Sequence, residues 1–278
     1  MLEKGALFLN QSEIIGVALE LSGFKEVPAD TGIQVRGGDV KRPWLSIDVG
    51  VAELLMAREM GCDCVISHHP LGATNVNFYK VLARHAQFMK EEGVPEAEAN
   101  AAVDQLVRKV RLRSHPSIYN QVVEAAQRMR MPLMNVHLPC DEIGRQLMAP
   151  VIARAGPKVG DIVDALLTLP EYRASEIKPE VVLGDPTSNR GKTKLVVAAG
   201  TNGGYGMARS YFTHGVDTVV YMHIDGDELK RLKDDPTSKS LVLLGHESGD
   251  SVGINPFVKA LRDRGVRPLT VGILGAEE

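Results

Sequence analysis

The 278-residue chain predicts an α/β protein with mixed, largely parallel sheets and a helical insertion. Three observations carry this. Strand-like apolar runs alternate with short amphipathic helical runs over 42–67. The alternation returns over 194–246. A run of helical spacing near 77–130 lies between the two. Strand, helix, strand makes a βαβ unit, and its right-handed crossover leaves the strands parallel.

The elements follow in order. "RPWLSIDVG" (42–50) reads as a strand. "VAELLMAREMG" (51–61) reads as a short helix ended by Gly61, and "CDCVIS" as a buried strand. "NFYKVLARHAQFMKEEG", "PEAEANAAVDQLVRKVR" and "HPSIYNQVVEAAQRMRM" have helical spacing with Gly or Pro between them. "PLMNVHLPCD" (132–141) reads as a strand ending in a polar loop, with helices near 141–155 and 158–168. "EIKPEVVLGDPTSNRGK" is rich in turn formers and is the best linker. Strand "KLVVAAG", loop "TNGGYG", helix "MARSYFTHG", strand "TVVYMHI", a short charged helix and strand "SLVLLGH" come next. A last helix lies in "DSVGINPFVKALRDRG", where Pro256 is tolerable only in the first turn. This divides the chain into a first lobe (1–157, with the insertion) and a second (158–278). "MAREMGCDCVISHH" and "MARSYFTHGVDTVVYMH" align with His69 on His223, either as an internal repeat or by chance.

Composition narrows the class. With 44% hydrophobic and 24% charged residues and a formal charge of −3, the chain has no bias toward nucleic acid or an anionic membrane. No apolar run approaches the roughly 20 residues of a membrane helix, and no signal peptide is visible. Cys62, Cys64 and Cys140 are an odd number, which reads as a reduced, cytoplasmic protein.

Parallel strands bring their C-terminal ends to one edge, where α/β sheets place ligands. Four strand ends there carry candidate metal ligands: Asp48, His68 with His69, His137 with Asp141, and His246 with Asp250. Imidazole and carboxylate together suit zinc, iron or manganese, and too few soft ligands are present for a thiolate site. Such a set could hold two divalent cations bridged by a carboxylate, with water at the open positions. Plainer roles stand beside this. A strand-end histidine is usually solvated or hydrogen-bonded, and capping the next helix is the plain alternative for Asp48. His85, His115 and His214 read as structural and Cys62 and Cys64 as buried packing, while Cys140, between Pro139 and Asp141, is either a ligand or a small buried residue. The loop "GTNGGYG" (200–206), with Gly200, Asn202, Gly203 and Gly204, is a candidate for binding phosphate or an oxyanion through its N–H groups. A tight turn into a helix explains it equally well.

The motifs "WLSIDVG…AREMGCDCVISHHPL", "NVHLPCD" and "LLGHESGD", with "PADTGIQV" upstream, resemble the NIF-three-like family of GTP cyclohydrolase type-two homologues. The resemblance implies two interleaved α/β lobes, a dinuclear metal site in the cleft between them, and a homo-oligomer, commonly a toroidal hexamer. It carries the ligand role to His68, His69, Asp141, His246 and Asp250. The family usually has Glu where Asp250 stands, the span from His69 to His137 is longer than in short members, and His223 replaces a typical glutamate. His223 is then an extra ligand or a partner of one. The function implied is metal-dependent hydrolysis of a small, nucleotide-like substrate, with Glu247 or His223 moving the proton. The competing classes are a non-enzymatic metal-binding adaptor and a nucleotide-binding regulator.

Overall fold

The structure, a computed structural model, describes residues 8–197 and 203–276. Helix α1 (Gln11–Ser22) is started by Asn10, whose side chain accepts from the N–H groups of Ser12 and Glu13. Strands β1 (Gly32–Val35) and β2 (Trp44–Ser46), helix α2 (Val51–Glu59) and strand β3 (Val65–Ser67) follow. Glu53 reaches back to the Gly50 N–H at 2.7 Å, and Gly61, in the left-handed region, ends the α2 turn. The insertion holds α3 (Gly72–Val76), a 3-10 turn (Phe78–Ala83), α4 (Arg84–Glu91), α5 (Glu96–Arg113) and α6 (Gln121–Met129). Then come β4 (Leu133–Asn135), α7 (Leu138–Ala153), α8 (Val159–Leu166), α9 (Pro170–Ala174) and β5 (Glu180–Leu183). The chain continues with β6 (Thr193–Val196), α10 (Gly204–Thr213), β7 (Thr218–Tyr221), α11 (Gly226–Asp234), β8 (Ser240–Leu243), α12 (His246–Asp263) and β9 (Leu269–Val271).

The fold class is the expected one. A five-stranded sheet has the order β1-β4-β3-β2-β9, and a four-stranded sheet the order β5-β8-β7-β6. In each, one antiparallel edge strand joins parallel neighbours. Both antiparallel pairs are bulged at the same place, after Ile33 and after Val181. The last strand, β9, returns to pair with β2 in the first sheet. Among the described residues, no helix is long and apolar enough to cross a membrane.

Alternation along the strands decides the layering. Trp44, Val65 and Leu133 face α2 and α6 on the outside of the first sheet. Leu45, Ile66 and Met134 face inward, toward α1 and the Phe257–Leu261 stripe of α12. In the second sheet Val220 and Val242 face α7 and α8, while Val219 and Leu241 face α4, α5 and α10. Helices α7 and α12 therefore lie between the sheets. They meet through glycines: a Cβ on Gly253 would run into the Cys140 carbonyl, and one on Gly144 would press on the backbone of Gly249 and Gly253. This close approach matters because each helix carries an aspartate in its first turns.

Several local expectations are corrected. The supposed linker contains β5, because "EVVL" offers β-branched residues to the open edge of β8. Pro256 lies inside α12, not in its first turn, since the helix begins at His246. Helix α6 starts only at Gln121, and "HLPCD" opens α7 instead of a polar loop. Strands β1 and β9 have no clear signal, being short and at the edges of the first sheet.

Candidate metal centre

The ends of β2, β3, β4 and β8 converge on one point. At the end of β3 the main chain keeps pairing with β2: the N–H of His68 donates to Ser46 O and that of His69 to Ile47 O, both at 2.9 Å. The Ser67 hydroxyl donates to His69 O at 2.8 Å and tightens the exit from the strand. Strict alternation ends there. The adjacent imidazoles sit with centroids 5.3 Å apart and face the same cluster.

Each of three histidines has its Nδ1 held from behind. His68 Nδ1 donates to the Val136 carbonyl at 3.0 Å. His69 Nδ1 pairs with Asp48 Oδ1 at 2.7 Å, and His137 Nδ1 with Asp30 Oδ2 at 2.7 Å. This fixes the tautomer and leaves Nε2 for a cation, the usual arrangement behind metal-bound histidine. Asp141 and Asp250 enter from α7 and α12. His68 Nε2 lies 3.4 Å from Asp141 Oδ1 and 3.5 Å from Asp250 Oδ2. Asp250 Oδ2 is also 3.3 Å from the Nε2 atoms of both His69 and His246. His246 and Asp250 share a face of α12, being four residues apart.

Three overlapping triads have ligating atoms within 4.8 Å of one another: His68, His69 and His137; His69, His246 and Asp250; His68, Asp141 and Asp250. All six candidate ligands belong to at least one. The donors fit a cation. His68 Nε2 and all four carboxylate oxygens of Asp141 and Asp250 are buried without a hydrogen-bond partner among the described residues. Buried carboxylates left this way are costly, and a cation at this point would satisfy them.

The charges tell the same story. Burial opposes a proton on His68, but Asp250 and Asp141 outweigh it and hold the imidazole well above its usual value. His69 is likewise opposed by burial and raised to about 9 by Asp250 and Asp48. Burial pushes Asp250 up, yet His68, His69 and His246 hold its carboxyl well below the ordinary range. Burial lowers His246, with His69 and His68 adding repulsion. Protons on His68 and His69 thus balance charge that cations would otherwise balance.

The remaining candidates divide. Asp48 does not cap α2; it holds His69. His223 packs against His246, with ring centroids 4.9 Å apart. Glu247 is exposed, one position off the face shared by His246 and Asp250. Gly200 and Asn202 lie outside the described residues. Gly203 and Gly204 open α10, with Gly204 in the left-handed region at φ +66°. One of the N–H groups at this start, that of Tyr205, donates to Glu228 Oε2 at 2.7 Å, so a carboxylate of the chain already takes it. Cys140 is buried and joins no triad. Sequence reasoning missed Asp30, which is fully buried behind His137. Its signal was the Asp-Thr-Gly of "PADTGIQV": the neighbouring Thr31 hydroxyl accepts from the His137 N–H at 3.0 Å.

No family model matches the chain, and no curated protein does. Solved structures do. A NIF3 superfamily protein from Sphaerobacter thermophilus is 41% identical, with a TM-score of 0.92 over 96% of this chain and all of that one. Reduced HcgD from Methanocaldococcus jannaschii is 13% identical, with a TM-score of 0.59 over 94% of this chain and 97% of its own. A Bacillus cereus protein related to NIF3 is 10% identical, with a TM-score of 0.56 over 98% and 99%. The last two share the fold alone. On the near-complete match at 41% identity, the chain belongs to the NIF3 superfamily.

Proposed function

We propose that the chain is a metal-dependent hydrolase acting on a small, nucleotide-like substrate, with two divalent cations (zinc, iron or manganese) at the strand-end cluster. The observation that carries this is the set of buried, unbonded carboxylate oxygens of Asp141 and Asp250 facing the Nε2 atoms of His68, His69 and His246. Asp250, the carboxylate common to two triads, would be a ligand for the cations. His68, Asp141 and His137 would hold one side, and His69 and His246 the other.

Such cations supply Lewis acidity and lower the pKa of water from about 15.7 toward about 7. The chain's own residues do the rest. Asp48, Asp30 and the Val136 carbonyl orient the imidazoles. The cluster is closed on one side and open on the other: the His68, Asp141 and Asp250 side chains are at most 1% exposed, whereas His246 is 41% exposed. An open side admits a substrate, unlike a site that protein ligands close completely. His223, next to His246 and half-buried, would carry a proton between that side and solvent. Glu247 faces solvent, so the role goes to His223.

The test is metal analysis joined to turnover of a panel of nucleotides, cyclic amides and phosphoesters. The wild type should retain metal and hydrolyse a member of the panel. His68→Ala should lose the metal and the activity while its circular dichroism is unchanged. Full metal content in His68→Ala, or a metal-loaded wild type inert on the whole panel, would contradict the reading. A homo-oligomer, a hexamer by family resemblance, belongs to the same proposal, and light scattering measures its mass.

A further inference from the structure

A groove of about 870 Å³ lies between α5 on one side and α10 with the β7–α11 loop on the other. Its size is that of a site for a small organic ligand. Residues from Glu98 to Arg113 line it, so it follows α5 for roughly 22 Å at about 1.5 Å per residue. Its lining includes Phe78 and His223, and these two also touch the metal cluster. Phe78 meets the His137 ring edge-on at 5.4 Å, and His223 meets His246 at 4.9 Å. The groove therefore opens onto the cluster. Ala102, Leu106, Val110, Met207 and Ile224 give it apolar walls.

The charges along it are unevenly committed. The acids are engaged: Glu98 accepts from the Ser210 hydroxyl at 2.7 Å and Asp225 from the Asp227 N–H at 3.0 Å. Glu228 accepts from the Tyr205 N–H at 2.7 Å and from Lys109 at 3.2 Å, with Arg231 3.9 Å away. A carboxylate thus sits at the positive start of α10 between two cations, where an anion is stabilised. Arg113, also on the lining, has no partner among the described residues.

We propose that this groove holds the body of the substrate, a small molecule with a flat or apolar body and an anionic oxygen tail, phosphate or carboxylate. The tail is received by Arg113, Lys109 and Arg231 beside Glu228, while the reacting end lies at the cluster. This rests on the hydrolase reading for the reacting end only. Glu228 acts as a resident competitor: it keeps the cations oriented and must share them with the incoming tail.

The probes are 2-naphthyl phosphate, 2-naphthoate and 2-naphthol, titrated calorimetrically into the purified protein, with metal content measured on every sample. At least one anionic probe should bind tenfold or more tighter than the neutral alcohol, and the tighter of the two identifies the tail. Arg113→Ala should weaken that binding about fivefold. Glu228→Gln should strengthen it severalfold, because repulsion is removed. Ala102→Trp should abolish it by filling the groove. Metal content should be the same in all three variants. Arg113 is exposed, and Glu228→Gln keeps an amide oxygen to accept from the Tyr205 N–H, so these two variants decide the matter if Ala102→Trp folds poorly. No preference for the anions, or anion binding unchanged in Arg113→Ala and Glu228→Gln and lost only when metal is stripped, would overturn the groove. Metal-stripped protein whose anion binding still follows the groove variants supports the groove by itself, while the hydrolase reading fails separately, on metal-loaded protein that is inert on the whole substrate panel.

Discussion

Asp30 shows how much a residue outside the ligand set can decide. It is fully buried, and its Oδ2 holds His137 Nδ1 at 2.7 Å. Its charge keeps the ring in the tautomer that presents Nε2 to a cation. Asp30→Asn keeps the size and removes the charge. Metal affinity should fall about 10- to 100-fold, the usual cost of losing such a partner, while the fold persists. Competition against a chelating dye measures this, and an unchanged affinity would show that His137 is not a ligand. The six candidate ligands were legible because strand ends are legible: an apolar run that stops at "SHHP", "NVH" or "LGHE" marks its own terminus. Asp30 was not, because it precedes a short edge strand and reaches His137 over 107 residues of chain. Glu247 follows His246 in sequence yet faces solvent, because consecutive side chains diverge on a helix.

At the level of elements, long amphipathic helices and central strands were readable, and edges were not. Strands β5 and β9 are stabilised by neighbours that arrive from elsewhere in the chain, so local pattern carries little of their signal. Pro256 falls inside α12 because that helix starts at His246, ahead of the run 250–265 in which the sequence shows helical spacing. Helix α4 offers a test of burial. His85 is fully buried there, and burial, with Arg84 beside it, lowers its pKa to about 4. In the unfolded chain the ring takes its proton near 6.5. Between these values the unfolded state binds more protons. The stability from keeping His85 neutral is therefore complete above about pH 6.5 and is lost as pH falls toward 4, a change of about 3 kcal/mol. His68 and His69 titrate in the opposite sense, so the comparison must be with His85→Leu. The gap in unfolding free energy between wild type and His85→Leu should move by about 3 kcal/mol in favour of the variant from pH 7 to pH 4. Urea titrations at the two pH values measure it, and parallel pH curves would contradict the burial argument.

Across the whole molecule the two sheets repeat one plan: an antiparallel edge strand, a bulge at the same register, and three parallel strands in the same order. The pairing sets the equivalence of the halves. Ser67 pairs with Asn135 in one sheet and Tyr221 with Leu243 in the other. Counting two residues on places His69 opposite His223, the alignment visible in the sequence. Helices α7 and α12 occupy equivalent places after β4 and β8, and their glycine contact brings Asp141 and Asp250 to the two sides of His68. The duplication was readable as a faint repeat. That β9 crosses back to the first sheet was not, since nothing local records which sheet an edge strand will join.

We propose that this convergence of strand ends exists to hold cations. Anomalous diffraction from crystals grown with manganese or zinc tests it most directly. Two peaks should lie within coordination distance of the donors, one beside His68 and Asp141, the other beside His69 and His246, with Asp250 in reach of both. Peaks elsewhere on the molecule, or none at this cluster in a metal-saturated crystal, would contradict it.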